Sequence, residues 1–304
     1  MGDTPTSARA RRQAMPAGPI GGGTGVRVVL WLAGLILASG ILFQITAVVL
    51  SMRPALVVDV AASGALLALW AVTRASPRLR AASPVLLVWA ALLVFGWVSG
   101  LVMSLPQLTG FRHAPVPVLF LAVNGVKLVS VGLVAAIAYR YGWTRSDLNL
   151  RPGGLRAGTG LRLGGHELRW TVAGPLVIVA VLALFAAYLP AGALARLPHL
   201  APWVPVFLLG ALVNASAEEF LYRHVPLRAL RPAMRVGPAV LLTSVLFGLG
   251  HLTGNPGGVV GVVYTTLFGL TCAAAMLRTR GFGWNLPIHV AGDLGVVISA
   301  ALAG

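Results

Sequence analysis

Long blocks of apolar residues run through almost the whole sequence, and short connectors between them carry most of the charge. A helix that crosses the hydrocarbon core of a bilayer needs about 20 predominantly apolar residues, and blocks of about that length recur along the chain. The pattern therefore predicts an all-α, polytopic transmembrane helical bundle of eight or nine spans. The predicted segments are Val26–Leu50, Ala55–Thr73, Ser83–Leu105, Pro115–Tyr139, Thr171–Ala195, Pro202–Leu221, Pro238–His251, Gly257–Leu277 and Trp284–Ala303.

Composition supports a membrane location. The 304 residues are 58% hydrophobic and 10% charged, whereas soluble domains are about a quarter charged. The net charge is +16, but the arginines lie between apolar blocks and form no basic stripe interleaved with exposed aromatics. We therefore expect the lipid bilayer as a partner, and neither nucleic acid nor a cofactor-binding domain. The single cysteine, Cys272, lies within an apolar block, which indicates a packing residue.

Arginine-rich connectors alternate along the chain with connectors that contain few basic residues, which is the bias that orients membrane proteins. It predicts a multi-pass protein of the cell (plasma) membrane, with a cytoplasmic N-terminus and the C-terminus outside. The longest polar stretch divides the chain. The predicted parts are a disordered basic cytoplasmic tail (1–25), an N-terminal region of four membrane helices (26–139), a cytoplasmic loop (140–170) and a C-terminal membrane domain (171–304).

Acidic residues are rare, and a pair in a late span is the first candidate site. An ionisable side chain in hydrocarbon costs about 2.5–3.5 kcal/mol on insertion scales, so it needs a partner, a wet cavity or a function. Glu219 and Arg223 are four residues apart and share a helix face, which favours an ion pair. Glu218 is turned by about 100° from Glu219 and can face a cavity as a general base. The alternative is a solvated charge cluster at a helix end.

Two later segments carry histidine. His251 follows Phe247 at a spacing of four residues, and His289 precedes Asp293 at the same spacing, so each pair shares a helix face. A lone histidine at a helix end is more often a packing residue than a ligand. Two imidazoles and a carboxylate beside a Glu-Glu pair, however, can activate water and stabilise an oxyanion.

Taken in order, Glu-Glu-x-x-x-Arg, Phe-x-x-x-His and His-x-x-x-Asp resemble the motifs of the CPBP family. This family includes the type II CAAX prenyl endopeptidases and bacterial relatives described as bacteriocin self-immunity proteins. The resemblance covers roughly residues 170–304. It implies an intramembrane endopeptidase that hydrolyses a peptide bond of a membrane protein or peptide, with a CAAX-like C-terminus as a candidate substrate. The implied site residues are Glu218, Glu219, Arg223, His251, His289 and Asp293.

The resemblance also implies a role for each residue. Glu218 would be the water-activating base, assisted by His251, while the Glu-Arg pair beside it would hold its helix in place. His289 and Asp293 would stabilise the oxyanion or bind a metal. The family more commonly has Asn where this chain has Asp293, and an ionised Asp cannot donate a hydrogen bond to an oxyanion. Orienting His289, or binding a metal, is then the better-supported role for Asp293.

The family resemblance leaves the question of a metal open, because both a metalloprotease and a metal-free glutamate mechanism have been argued for these proteins. Glu218, His251 and His289 could form a three-ligand site for a divalent ion, with zinc as the candidate, and leave one position open. Glu218 would then be less available as the base, so the two mechanisms compete for the same residue.

Two other classes of function are weighed against hydrolysis. The fold could serve as a non-catalytic self-immunity or binding protein. A proton-coupled transporter could use Asp59 and Lys127 with the late acids, but such transporters contain inverted repeats, and none is seen. An ion pair between Asp59 and Lys127 is the simpler prediction. Asn124 and Asn214 are predicted to form hydrogen bonds between helices.

The site has one geometric requirement. Glu218 lies near the end of its predicted span, and His251 lies about 20 Å along the next one at 1.5 Å per residue. They meet only if the helix that carries Glu218 continues toward Leu230, beyond a kink at Pro226. We predict that it does, and that the last five spans enclose a water-filled cavity open to the cytoplasmic side.

Overall fold

The structure is a computed structural model and describes residues 24–105, 113–255 and 257–303. The predicted basic tail, 1–25, lies almost wholly outside the described residues. Within them the chain is predominantly helical, and the predicted all-α bundle is confirmed. The helices are α1 Thr24–Ala38, α2 Ile41–Val49, α3 Met52–Ala75, α4 Ser83–Ser104, α5 Val116–Gly125, α6 Lys127–Arg140, α7 Trp170–Ala187, α8 Val204–Glu219, α9 Val225–Leu230, α10 Val236–Leu249, α11 Gly258–Thr279 and α12 Asn285–Ala303.

In the described ranges, seven helices are long and apolar enough to cross a membrane, and the count is eight if α1 and α2 form one span. These two helices are bent by 48°, because Gly40 between them has the left-handed φ of 67° that glycine adopts without strain. The count of nine is not reached, since α10 has only 14 residues, too few to cross a bilayer unaided. The structure therefore supports seven or eight spans, and of the two predicted numbers only eight falls within that range.

Proline begins several of these spans. Pro84, Pro117 and Pro205 each lie in the first turn of a helix (α4, α5 and α8). At that position the missing N–H has no intrahelical partner to lose, and the φ of proline already fits a helix. A proline near the beginning of each of these apolar blocks therefore marks where the helix starts.

The helix that carries the Glu-Glu pair continues to Leu230, as predicted. A stretch of 38 residues, Ala193–Leu230, includes α8 and α9 and forms one candidate span. Between α8 and α9 the chain widens into a π-helical turn, Phe220–His224, immediately before Pro226. Because Pro226 has no N–H to close a regular turn, the wider turn lies where the kink was expected. Such π turns occur frequently at functional sites.

The polar stretch between α6 and α7 contains a small antiparallel hairpin, β1 Gly158–Leu163 and β2 His166–Arg169. No strand was predicted in this part of the chain. Gly164 and Gly165 form the two-residue turn, and both have positive φ, 57° and 84°. That is the requirement of the hairpin turn whose twist matches the strands.

The N-terminal helices share a hydrophobic core with the late ones. Leu86 and Trp89 of α4 are fully buried and belong to the same core cluster as Leu230 of α9 and Leu246 of α10. On the other face of α10, α11 packs closely enough that a Cβ at Gly269 would lie 3.2 Å from Arg223 Nη2. Gly269 thereby leaves room for the buried guanidinium.

Candidate active site

Four charged or titratable side chains from three parts of the late bundle meet around one small cavity. Glu218 lies in the last turn of α8, His251 follows α10, and His289 and Asp293 lie on α12. The cavity has a volume of about 40 Å³, and all four residues line it. A water molecule needs about 10–15 Å³ by this measure, so the cavity has room for about three. The structure thus brings the predicted Glu, His and Asp residues together, with Glu219 and Arg223 directly behind them.

Glu219 is the centre of a buried network. Its Oε1 accepts a hydrogen bond from Arg223 Nη1 at 2.7 Å, which is the predicted i, i+4 pair. The same oxygen lies 2.6 Å from His289 Nδ1, and Oε2 accepts from Asn285 Nδ2 at 2.5 Å. Glu219 and Arg223 are 2% and 1% exposed. The guanidinium also packs over the ring of Phe247 at 4.2 Å from its centroid. Glu219 therefore ties α8, the π turn and α12 together.

His289 lies between the two adjacent glutamates. Its Nδ1 faces Glu219, and its Nε2 lies 3.2 Å from Glu218 Oε2. An imidazole with a carboxylate on each nitrogen donates from both, as the protonated ring does. Asp293 Oδ1 is 3.9 Å from Nε2, too far for a hydrogen bond. Glu219 therefore holds the ring by a hydrogen bond, whereas Asp293 lies only within ion-pair distance of it.

Glu218 has a cationic partner from the N-terminal helices. Lys127 Nζ contacts Glu218 Oε1 and Asn214 Oδ1, so Glu218 is not the unpaired carboxylate that its turn away from Glu219 suggested. The predicted Asp59–Lys127 pair is wrong. Asp59 is 2% exposed, and within the described part of the chain its Oδ2 has no hydrogen-bond partner. Lys127 pairs with the late acid because its helix packs against α8.

Asn214 extends the hydrogen-bond network from Lys127 to Asp293. Its Nδ2 donates to Asp293 Oδ1 at 2.9 Å, between α8 and α12, as predicted for an interhelical asparagine. The same prediction for Asn124 is wrong, since its Nδ2 bonds to the carbonyl of Phe120, one turn back in its own helix.

His251 has a different environment from His289. Its Nδ1 lies 2.7 Å from the carbonyl oxygen of Phe247, and a carbonyl only accepts, so Nδ1 carries the proton and Nε2 can accept one. His251 forms no ion pair with any described carboxylate and meets Glu218 only across the cavity. A neutral imidazole that faces water can accept a proton.

Three residues of this network were not predicted as site residues, namely Lys127, Asn214 and Asn285. Two of them lie one helical turn before a predicted one, Asn214 before Glu218 and Asn285 before His289. The i, i+4 spacing that paired Glu219 with Arg223 could have found them. No such signal connects Lys127 with Glu218, since 91 residues separate them.

Two of the three predicted metal ligands, Glu218 and His289, are already engaged in ion pairs. Glu218 contacts Lys127, and both nitrogens of His289 face carboxylates. The side chains of Glu219, Cys272 and His289 also bring ligand atoms within 4.8 Å of one another, but Glu219 accepts hydrogen bonds from Arg223 and Asn285. A divalent ion would have to displace the Lys127 ammonium from Glu218 or a proton from His289. The side chains as they are arranged therefore do not fit a metal.

Comparison with known proteins gives one match. Residues 200–295 match the family model described as Rce1-like, type II CAAX prenyl endopeptidase Rce1-like. The matched segment contains all the predicted site residues, and the predicted resemblance is confirmed over this segment. No curated protein and no solved structure matches the chain.

Proposed function

Residues 200–295 belong to the Rce1-like family of type II CAAX prenyl endopeptidases, and from that premise we propose that this multi-pass membrane protein is an intramembrane endopeptidase. It hydrolyses a peptide bond of a membrane-associated substrate with a water activated by Glu218 and His251. The observation that supports the proposal is the cavity of about 40 Å³ that Glu218, His251, His289 and Asp293 line together. Hydrolysis inside a bilayer requires such a water-sized polar space, enclosed by a base and by a group that stabilises negative charge.

In the proposed step, water in the cavity gives a proton to the Glu218 carboxylate while its oxygen adds to the carbonyl carbon of the scissile bond. His251 Nε2, unprotonated and facing the same space, accepts a hydrogen bond from that water. The carbon–nitrogen bond then breaks, and the leaving amine takes up the proton from Glu218. Proton transfer of this kind contributes about 10²–10⁴-fold to a rate.

The group best suited to stabilise the oxyanion is His289, which lines the cavity. Its Nε2–H faces Glu218 Oε2 at 3.2 Å, and once Glu218 has taken the proton from water this N–H can donate to the oxyanion. Asp293 accepts a hydrogen bond from Asn214 and, as a carboxylate, would repel an oxyanion. The proposed role of Asp293 is then to stabilise the positive charge of His289 electrostatically, across 3.9 Å and without a hydrogen bond. This division favours a metal-free glutamate mechanism over a zinc mechanism, and no step here requires a metal.

An apolar cavity next to the site suits a hydrophobic substrate. It has a volume of about 280 Å³ and shares Phe185, Asn255 and Tyr264 with the catalytic cavity. Most of its other lining is apolar, including Leu184 and Val260. A substrate that places an apolar side chain or a lipid chain there would present the neighbouring peptide bond to Glu218. A CAAX-like C-terminus has this chemistry.

The proposed cellular arrangement follows the basic residues. The N-terminus lies in the cytoplasm, and the catalytic cavity opens toward the cytoplasmic side of the plasma membrane. A C-terminus outside requires an odd number of spans, which corresponds to the count of seven and not to the count of eight.

The test is C-terminal proteomics of membranes from cells that contain the wild-type protein, Glu218→Ala or His251→Ala. New C-termini that appear with the wild-type protein and disappear with both variants support the proposal. Glu167→Ala, at an exposed acid of the hairpin, is the matched control and keeps the wild-type pattern. If both active-site variants retain full biological activity, hydrolysis is not the function and a binding or immunity role replaces it.

A further inference from the structure

Lys127 lies outside the segment that matches the family and outside the predicted protease domain. It begins α6, near the middle of the candidate span Val116–Arg140, which is where a charged side chain is least tolerated. We propose that Lys127 is a positioning residue of the hydrolytic site, supplied by the N-terminal helices, which holds Glu218 ionised and correctly oriented. This inference rests on the proposed function and adds a residue to it.

The contacts of the ammonium group carry the proposal. Lys127 Nζ touches Glu218 Oε1 and Asn214 Oδ1 and lies 5.2 Å from the ring centroid of Phe95. The side chain is 11% exposed. With Oε1 on Lys127 and Oε2 near His289, each oxygen of Glu218 has a fixed partner. The carboxylate cannot rotate without losing one of them.

The same ammonium also determines the direction of a neighbouring amide. An ammonium group only donates, so Asn214 must present its oxygen to Lys127. The amide nitrogen is then directed to Asp293, which accepts from it at 2.9 Å. One cation thus orients Glu218 directly and Asp293 through Asn214.

Charge matching explains why a second cation is needed. Arg223 neutralises Glu219, and His289 lies near three carboxylates, those of Glu218, Glu219 and Asp293. Without Lys127, one imidazolium would have to offset both Glu218 and Asp293. Glu218 would then take up a proton or turn away, and in either case it would lose its function as a base.

The experiment measures cleavage of an internally quenched peptide that ends in a farnesylated cysteine and three further residues, with purified protein in liposomes. The variants are Lys127→Met, Lys127→Gln, Lys127→Arg and Glu218→Gln. The control is Asn124→Ala, which removes a buried polar side chain of the same span. Within the described part of the chain, its amide hydrogen-bonds only to a carbonyl of its own helix. Melting temperature is recorded for every variant, so that loss of folding is seen.

A positioning role predicts that Lys127→Met and Lys127→Gln lose about 10²-fold or more in kcat, while KM stays within about threefold, because Lys127 does not touch the substrate. Lys127→Arg recovers part of the rate, and Asn124→Ala equals the wild type. Should Lys127→Met not fold, Lys127→Gln, which keeps a hydrogen-bond donor but no charge, decides the question.

The experiment distinguishes failure of the proposed role of Lys127 from failure of the proposed hydrolase function. If the wild-type protein cleaves the peptide, Glu218→Gln does not, and both neutral variants of Lys127 keep the wild-type kcat, the role of Lys127 is overturned and the proposed function stands. If wild type and Glu218→Gln are equally inactive or equally active, the proposed function fails, and the role of Lys127 fails with it.

Discussion

Glu219 Oε1 lies 2.6 Å from His289 Nδ1, so an acid at the end of α8 holds an imidazole on α12. The same oxygen accepts from Arg223 at 2.7 Å. A residue expected only to pair with Arg223 is therefore the link between the helix carrying the proposed base and the ring proposed to stabilise the oxyanion.

Replacement of Glu219 by Gln should damage both stability and hydrolysis. It leaves the buried Arg223 without its carboxylate and leaves His289 with Glu218 alone. Removal of one partner of a buried ion pair costs about 3–5 kcal/mol of the free energy of unfolding. Loss of the correctly held His289 should also lower kcat by about 10²-fold or more. Thermal unfolding in detergent and peptide cleavage measure the two effects. The exposed acid variant Glu167→Gln is the control, and a Glu219→Gln protein that melts and cleaves like it contradicts this account.

Replacement of His251 by Ala should separate activity from stability. Among the residues that the structure describes, His251 hydrogen-bonds only to the Phe247 carbonyl of its own helix turn, so the fold loses little when the ring is removed. The rate should fall by about 10²–10⁴-fold because the acceptor facing the water is lost. The peptide assay and a melting curve measure this, with the exposed His199→Ala as control. An active His251→Ala enzyme would remove this residue from the mechanism.

Asp59 should be dispensable for hydrolysis. Its Oδ2 is buried without a hydrogen-bond partner among the described residues, and an unsatisfied buried group costs about 1–3 kcal/mol. Asp59→Asn removes the charge and keeps the shape, so the melting temperature should stay level or rise by about 2–4 °C per kcal/mol recovered, with cleavage unchanged. Membrane flux that depends on Asp59 and survives loss of His289 would instead favour the transporter alternative.

Removal of metal should leave the rate unchanged. The cations Lys127, Arg223 and protonated His289 offset the carboxylates of Glu218, Glu219 and Asp293 without any added ion. Elemental analysis of the purified protein should find far less than one zinc per chain, and dialysis against 1,10-phenanthroline should preserve cleavage. Stoichiometric zinc, with activity that is lost on chelation and restored by zinc, would establish the metalloprotease alternative.

Local spacing predicted much of the fold and part of the site. Apolar block length located the spans, and the i, i+4 rule correctly paired Glu219 with Arg223, because both depend on residues close together in the chain. The continuation of the helix to Leu230 followed from the need for Glu218 and His251 to meet. The hairpin at Gly158–Arg169 was missed, since its strands are short and its alternation of apolar residues is weak.

The partners of Glu218 and His289 could not be predicted, because they depend on how distant helices pack. Lys127 was paired with Asp59 on the assumption that neighbouring early spans satisfy one another. Instead α6 packs against α8, which places Lys127 on the late site and leaves Asp59 Oδ2 without a hydrogen-bond partner among the described residues. His289 was assigned to Asp293 by the same local rule, and Glu219, 70 residues away, holds it.

Hydrolysis in ¹⁸O-labelled water tests the central claim most directly. Purified wild-type protein in liposomes should release from a farnesylated CAAX-type peptide a new carboxyl terminus that carries one ¹⁸O atom by mass spectrometry, while Glu218→Gln, which keeps an acceptor for Lys127, should release none. Cleavage by Glu218→Gln at the wild-type rate, or the absence of any labelled product from the wild-type protein, would contradict it.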